Sequence, residues 1–326
     1  MRAVEVWETG GPEVLRVRDV PRPVPGPEEV LVRVRAVGVN RADAMIRDGS
    51  YPLAVSNTRI LGLEIAGDVV GRGERATEVA VGDRVFGLVP GGAYAEYATL
   101  DHGMAVPVPP AWSYVDAAAV VEVFCTAEET MLGLGRLQAG ETVLIHAGGS
   151  GVGTAAIQMA KHVGARVIFT AGSEEKIRRS LALGGDVGIN YQTRDFAEAV
   201  REATGGDGVD VIEDFIGASA FPRHLALLKP RGRLVMVGTL GGALTEFDLR
   251  VMFPKRLQIF GFSLRNQSIA EKRAITRRFR ERWLPLLIEG RIRHIVDRTF
   301  PLGEAAAAHA VIDRNQNYGK VILTVD

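Results

Sequence analysis

The stretch His146-Ala147-Gly148-Gly149-Ser150-Gly151-Val152-Gly153 decides the reading of this chain. It follows a short apolar run, Thr142 to Ile145, and opens an apolar helical stretch, Val152 to Val163. A dinucleotide pyrophosphate sits at such a junction. Glycines let the chain turn sharply and let the backbone approach the phosphates, while free N–H groups and the positive end of the helix face the anion. The run departs from G-x-G-x-x-G at one place: Gly148 and Gly153 hold the outer positions, Ser150 the middle one, and Gly151 is extra. A Gly-rich turn by itself is compatible with no more than a turn. The strand before it, the helix after it and the sequence downstream point to nucleotide binding.

Downstream, Ala165 to Thr170 reads as a second buried strand that runs out into Ala171, Gly172, Ser173, Glu174, Glu175 and Lys176. A unit selective for NAD places an Asp or Glu at this strand end, about 20 residues past the glycines, to hold the ribose 2′-hydroxyl. Here Ala171 holds the place. Without the carboxylate a 2′-phosphate is not repelled, and Ser173 with Lys176 offers it a hydroxyl and a cation, each charge-assisted bond contributing about 1.5 to 3 kcal/mol. NADPH is the expected cofactor. The alternative is that Ser173 only caps the next helix and Lys176 is a solvated surface residue. Glu174 and Glu175 fall one and two places inside the helix start, where they favour the dipole and are expected to turn away from the ribose.

At 326 residues the chain exceeds a comfortable single core, so two domains are expected. A formal net charge of zero argues against nucleic acid or an anionic membrane as partner. With no signal peptide and no apolar run long enough to span a bilayer, the expectation is cytoplasmic. The single cysteine, Cys125, excludes an intrachain disulfide and a cysteine-clustered zinc site, and with Val123 and Phe124 around it, it reads as a buried inert thiol. The basic stretch Lys272 to Arg282 reads as a helix. Ile275, Phe279 and Trp283 to Leu287 supply its apolar stripe, and its arginines form a wet face with Glu271, Glu281 and Glu289 as partners.

Up to about residue 120 the pattern is short strands and Gly/Pro turns: Ala3 to Trp7, Leu15 to Val20, Val30 to Val39, Ile65 to Gly71, Arg84 to Phe86 and Tyr94 to Thr99. From about Tyr114 to Arg265 strands alternate with helical stretches: Thr142 to Ile145, Arg166 to Ala171, Val187 to Asn190, Val209 to Asp214, Gly232 to Gly238 and Gln258 to Gly261. Six such strands make a doubly wound parallel sheet in an α/β fold. Asp297 to Phe300 and Lys320 to Val325 are strand-like again. The C-terminus is therefore expected to fold back onto the first domain, which makes the nucleotide domain an insertion and the cleft between the two the site.

These features resemble the medium-chain dehydrogenase/reductase superfamily, and within it the zinc-independent quinone oxidoreductases. The residues that carry the likeness are Gly10, Gly11 and Pro12; Asn40, Arg41, Ala42 and Asp43; Arg47, Gly49 and Tyr51; Gly62, Leu63, Glu64 and Gly67; and Gly82, Asp83, Arg84 and Val85. The loop with Ser150, the stretch Thr170 to Lys176, Asn190 with Tyr191, and Gly319 with Lys320 resemble the p53-inducible subgroup in particular. The resemblance implies a GroES-like β-rich catalytic domain of residues 1–122 and 266–326, and a Rossmann NADPH-binding domain of residues 123–265. Zinc-dependent relatives carry metal ligands where this chain has Asn40, Leu63 and Glu122, so no metal is expected.

The resemblance also implies roles. Tyr51 is placed near the nicotinamide, orienting the acceptor oxygen or donating a proton, a contribution of about 10² to 10⁴ in rate; the alternative is a packing aromatic in the loop before Pro52. Asn40 donates its amide to the same oxygen, and Asp43 fixes the loop by local hydrogen bonds. Thr126, Gly148, Ser150, Gly151, Val152, Gly153, Gly172, Ser173 and Lys176 contact the cofactor. So do Tyr191, for which packing is an equal alternative, and Gly217, Gly238 and Thr239 at the carboxyl edge of the sheet. Phe262, Ser263 and Leu264 line the nicotinamide pocket, and the edge near Gln258 to Leu264 forms a homodimer. The function so implied is NADPH-dependent, zinc-independent reduction of a quinone or other conjugated carbonyl. One rival is an enone or enoyl-thioester reductase, with Arg41 and Arg47 as a basic patch for a phosphorylated carrier or as plain surface. Another is an NADPH-binding redox sensor without efficient turnover.

Overall fold

A computed structural model describes residues 1–51 and 58–326; Pro52, expected to continue the Tyr51 loop, lies outside the described residues. The strands, in chain order, are β1 (Arg2–Val6), β2 (Leu15–Asp19), β3 (Glu29–Val39), β4 (Glu64–Arg72), β5 (Arg84–Leu88), β6 (Tyr97–Asp101), β7 (Val106–Pro107), β8 (Thr142–Ile145), β9 (Arg166–Ala171), β10 (Val187–Asn190), β11 (Val209–Asp214), β12 (Leu228–Met236), β13 (Gln258–Gly261), β14 (Val296–Pro301) and β15 (Lys320–Thr324). They fall into two compact units, Met1–Val123 with Arg265–Asp326, and Phe124–Leu264.

The second unit holds a six-stranded sheet in the order β10-β9-β8-β11-β12-β13, every pairing parallel. Parallel strands are covered on both faces, which is why β8 and β9 read as unbroken apolar runs. Leu144, Ile168, Ile212 and Leu234 pack with Phe196, Phe221 and Leu225 from the crossover helices. Five of the six strands begin and end where the sequence places them. The fifth does not: β12 starts at Leu228, through Pro230 and a left-handed Arg231 (φ 64°), with a register shift against β11 between Val209 and Val211. Pro230 and Gly232 mask a strand whose start is irregular.

In the first unit β3 is the spine. It pairs with β4, β6 and β15, in a sheet ordered β14-β15-β3-β4-β5-β7, while β1 and β2 form a separate hairpin. Tyr94 does not start a strand; β6 begins at Tyr97. The Tyr94 main chain bonds instead to Leu61 and Val4, and its fully buried side chain places the hydroxyl 2.9 Å from His309 Nε2. The basic helix, Ile269–Arg282, buries Ile275 and Phe279 as expected, but also Lys272 and Thr276. Its arginines are not all wet: Arg273 donates to Asp101 Oδ2 (2.7 Å) and Glu28 Oε2 (2.8 Å). Glu271 closes the capping box on Ser268, and Glu289 faces Arg291.

Candidate functional site

In the nucleotide unit, β8 delivers its chain to the loop with one left-handed residue, Ala147 (φ 53°), and none of Gly148, Gly149, Gly151 and Gly153 takes a positive φ. The expectation that the glycines make the sharp turn is thus corrected; they are needed for closeness. A Cβ at Gly148 would stand 2.6 Å from Phe169 Cδ2, and one at Gly153 2.3 Å from the Ala147 carbonyl oxygen. The Gly148 N–H donates to Thr170 O (2.8 Å), which ties the loop to β9. Ser150 caps the Gly151–Val163 helix, its hydroxyl accepting the Gly153 N–H at 3.0 Å. The first-turn N–H groups of Gly151 and Val152 have no acceptor within the helix, as at any helix start.

At the end of β9 four expected residues meet. A Cβ at Gly172 would lie 2.6 Å from the Tyr191 hydroxyl, and one at Gly149 3.0 Å from Lys176 Cδ, so Tyr191 lies against the strand end and the Lys176 stem against the loop. Ser173 caps the Glu174–Leu181 helix (Lys176 N–H to Oγ, 3.3 Å). Glu174 accepts from Asn190 Nδ2 (2.7 Å), and Glu175 lies 3.6 Å from Arg179. Both carboxylates therefore have partners of their own. Gly217 (φ 78°) lies so close to Thr239 that a Cβ would stand 3.0 Å from its Cα, and the N–H groups of Gly217 and Gly238 both bond to Asp214. Thr126, Phe262 and Leu264 are buried.

Two buried groups here were not legible in the sequence. His146 is fully buried, with Nδ1 2.9 Å from Thr170 Oγ1 and Nε2 2.8 Å from His224 Nε2. Burial, with smaller contributions from the neighbouring His224 and Arg223, holds it well below the usual histidine range, so it is neutral. Glu213 on β11 accepts from the Thr130 hydroxyl (2.6 Å), and burial pushes its carboxyl up to about 8. Each partner lies tens of residues away, so no local pattern announces the pair.

In the other unit the Arg41–Asp48 helix carries Asn40 at its start and Tyr51 just beyond its end. Asp43 is fully buried; Oδ2 accepts the Asn40 N–H (2.9 Å) and lies 3.3 Å from the Tyr94 hydroxyl, and Oδ1 accepts the Gly62 N–H (3.0 Å). Desolvation raises its carboxyl to about 6. Arg47, expected as basic patch or surface, is buried, 3.2 Å from His309 Nδ1 and 2.9 Å from Asp313. Arg41 bonds to the Ile312 carbonyl at 2.6 Å. Asn40 Nδ2 donates to Glu64 Oε1 (3.1 Å) and Gly38 O (3.3 Å), and its Oδ1 accepts from Lys320 Nζ (2.6 Å). Both amide hydrogens are engaged inside the unit. Lys320 also pairs with the fully buried Glu64 at 2.7 Å, and Glu64 Oε2 accepts the Glu122 N–H (3.0 Å). Tyr51 is half-buried; its N–H donates to Met45 O (3.0 Å), and the Arg265 guanidinium lies 5.9 Å from its ring centroid.

A Gly-rich loop on a doubly wound parallel sheet, with a GroES-like sheet beside it in the chain, defines the class of two-unit, dinucleotide-dependent dehydrogenases and reductases. Residues 26–110 match the alcohol dehydrogenase GroES-like domain family, and residues 151–279 the zinc-binding dehydrogenase family. Quinone oxidoreductase of Rattus norvegicus is 33% identical over 99% of this chain and 97% of its own length. Among solved structures, Escherichia coli quinone oxidoreductase complexed with NADPH superposes with a TM-score of 0.92 at 31% identity, covering 99% of this chain and 100% of that one. CurK enoyl reductase superposes with a TM-score of 0.87 at 29% identity, covering 100% and 99%. The chain belongs to the medium-chain dehydrogenase/reductase superfamily, with quinone oxidoreductases among its full-length relatives.

The second family's description implies zinc, which the residues present do not fit. The cation facing Glu64 is Lys320, Leu63 offers no donor, and no three His, Cys, Asp or Glu among the described residues lie together to hold a metal. The NADPH of the relatives is a different case. The close-packed glycines, the helix start and the pair Lys176 and Tyr191 at the end of β9 make a fitting cradle. Among the described residues no helix is long and apolar enough to cross a membrane.

Proposed function

We propose that the chain is an NADPH-dependent, zinc-independent quinone oxidoreductase. The observation that carries this reading is the end of β9, where no carboxylate stands at the ribose position and the Lys176 stem lies on Gly149. The full-length quinone oxidoreductase relatives support it. Gly148, Gly151, Val152 and Gly153 bring backbone to the pyrophosphate, and Ser150 holds the helix start. Gly172, Ser173, Lys176 and Tyr191 take the 2′-phosphate and ribose. Thr126, Gly217, Gly238, Thr239, Phe262, Ser263 and Leu264 surround the nicotinamide. Bound NADPH supplies a hydride to the acceptor. Tyr51 orients the acceptor oxygen and gives it a proton as the negative charge develops there. Asn40 and Asp43 are positioning residues: one holds Glu64 and Lys320, the other locks the helix that presents Tyr51. The protein is a cytoplasmic homodimer, joined through the open edge of β13.

The second reading, reduction of an enone or enoyl thioester, draws on the enoyl reductase likeness. Buried Arg47 and tethered Arg41 leave no open basic patch in these residues for a phosphorylated carrier. Purified protein is titrated with NADPH and NADH, and NADPH loss is followed with a benzoquinone, a naphthoquinone, an acyclic enone and an enoyl thioester. Quinone-selective turnover that falls by about 10² or more in Tyr51→Phe is expected. Lys176→Ala should weaken NADPH about tenfold or more and leave NADH unchanged. Preference for the enone or thioester moves the function to alkene reduction, and tight NADPH binding without turnover moves it to sensing.

A further inference from the structure

Two cations of the Tyr51-bearing unit are buried without a counter-charge. Arg265 is 7% exposed, and its Nε and Nη1 have no hydrogen-bond partner. Lys272, 8% exposed, donates its ammonium to the main-chain oxygen of Arg265 at 2.7 Å. Among the described residues neither makes an ion pair with a carboxylate. Elsewhere in the same unit the rule is different: buried Lys320 pairs with Glu64 at 2.7 Å, and buried Arg47 with Asp313 at 2.9 Å. Taking a guanidinium out of water without a partner is costly, so an uncompensated one marks a place where an anion arrives. Lys272 adds a second positive charge beside it, and desolvation together with the Arg265 charge lowers the Lys272 ammonium below its usual range. The nearby aromatic face is that of Tyr51, its ring centroid 5.9 Å from the Arg265 Cζ.

We propose that Arg265, backed by Lys272, is a specificity-determining anion site next to Tyr51, and that the preferred acceptors are quinones or conjugated enones bearing a carboxylate. The substrate class rests on the reading of Tyr51 as the residue at the acceptor oxygen; the anion site itself rests only on the unpaired guanidinium. A carboxylate on the acceptor would satisfy N–H groups that otherwise have no acceptor, with a charge-assisted bond that a neutral group of the same shape does not reproduce.

Full-length wild type and Arg265→Met are assayed, saturated with NADPH, on a naphthoquinone carboxylic acid and its methyl ester, a pair alike in shape and different in charge. In wild type the KM of the acid should lie about tenfold or more below that of the ester, and in Arg265→Met the ratio should move to about one. In parallel, benzoate, which accepts no hydride, is titrated by calorimetry at fixed ionic strength; wild type should bind it and Arg265→Met should not. An equal acid-to-ester ratio in both proteins overturns the proposal. So does a fall of kcat by one factor on acid and ester alike, because that describes a group polarising the carbonyl. Should Arg265→Met fail to fold, the wild-type ratio decides, and a value near one overturns the proposal. Where no quinone is reduced at all, the function reading fails, while benzoate binding that disappears with Arg265 still sustains the anion site.

Discussion

Ala147 holds the left-handed turn that the neighbouring glycines were expected to make (φ 53°). A Cβ in that conformation costs about 1 to 2 kcal/mol, and glycine there would lose about 0.5 to 1 of it again to unfolded-state entropy. Ala147→Gly should therefore raise stability, by up to about 1 kcal/mol. Gly153→Ala should do the opposite. Its new Cβ would stand 2.3 Å from the Ala147 carbonyl oxygen, backbone that has no rotamer to escape by. Overpacking of this kind costs about 1 to 3 kcal/mol. Differential scanning calorimetry with and without NADPH checks both. A stable Gly153→Ala protein with unchanged cofactor affinity would show that the loop is loose where it is drawn tight.

Between elements, β11 is joined to the π-helical turn Glu128–Leu134 by one buried pair, Glu213 with Thr130. The folded protein keeps the Glu213 proton until about pH 8, whereas an unfolded glutamate releases it near pH 4 to 5. Across that window the folded state binds the extra proton, so this group's contribution to stability is full in acid and lost as pH rises, at about 1.4 kcal/mol per unit, levelling off above about 8. Glu213→Gln removes the titration. The variant should gain on wild type progressively from pH 5 to pH 8 in urea denaturation; a difference that stays constant over the range would mean that Glu213 is not protonated in the fold. Contacts at this scale also decide where the arginines of the basic helix go. The partners of Arg273, Asp101 and Glu28, lie more than 170 positions away, and no helical period encodes them.

At the scale of the whole molecule, the edge of the six-stranded sheet bears on assembly. β13 pairs with β12 on one side and ends the six-stranded sheet, leaving a free edge among the described residues. Close by in sequence, Leu244, Leu249 and Phe253 are exposed, an apolar run that a monomer seldom keeps in water. An unpaired edge with apolar surface favours continuation by a second copy. Light scattering after size exclusion should return the mass of two chains for wild type and of one for Leu244→Glu with Phe253→Glu. A monomeric wild type at micromolar concentration removes the homodimer.

By itself the amino-acid sequence determined the period-two and fully apolar runs, the alternation that makes a six-stranded parallel sheet, and the glycine loop with its missing carboxylate at Ala171. Those are local patterns, set by backbone sterics and by burial on one or both faces of a strand. Only the tertiary structure decided that the Asn40 amide is spent on Glu64 and Gly38, that Lys320 occupies the charge position facing Glu64, and that Arg265 stands beside Tyr51 with its Nε and Nη1 unbonded. Each depends on side chains up to 280 positions apart meeting out of water. There the cost of an unpaired polar group or charge selects partners that sequence spacing does not record.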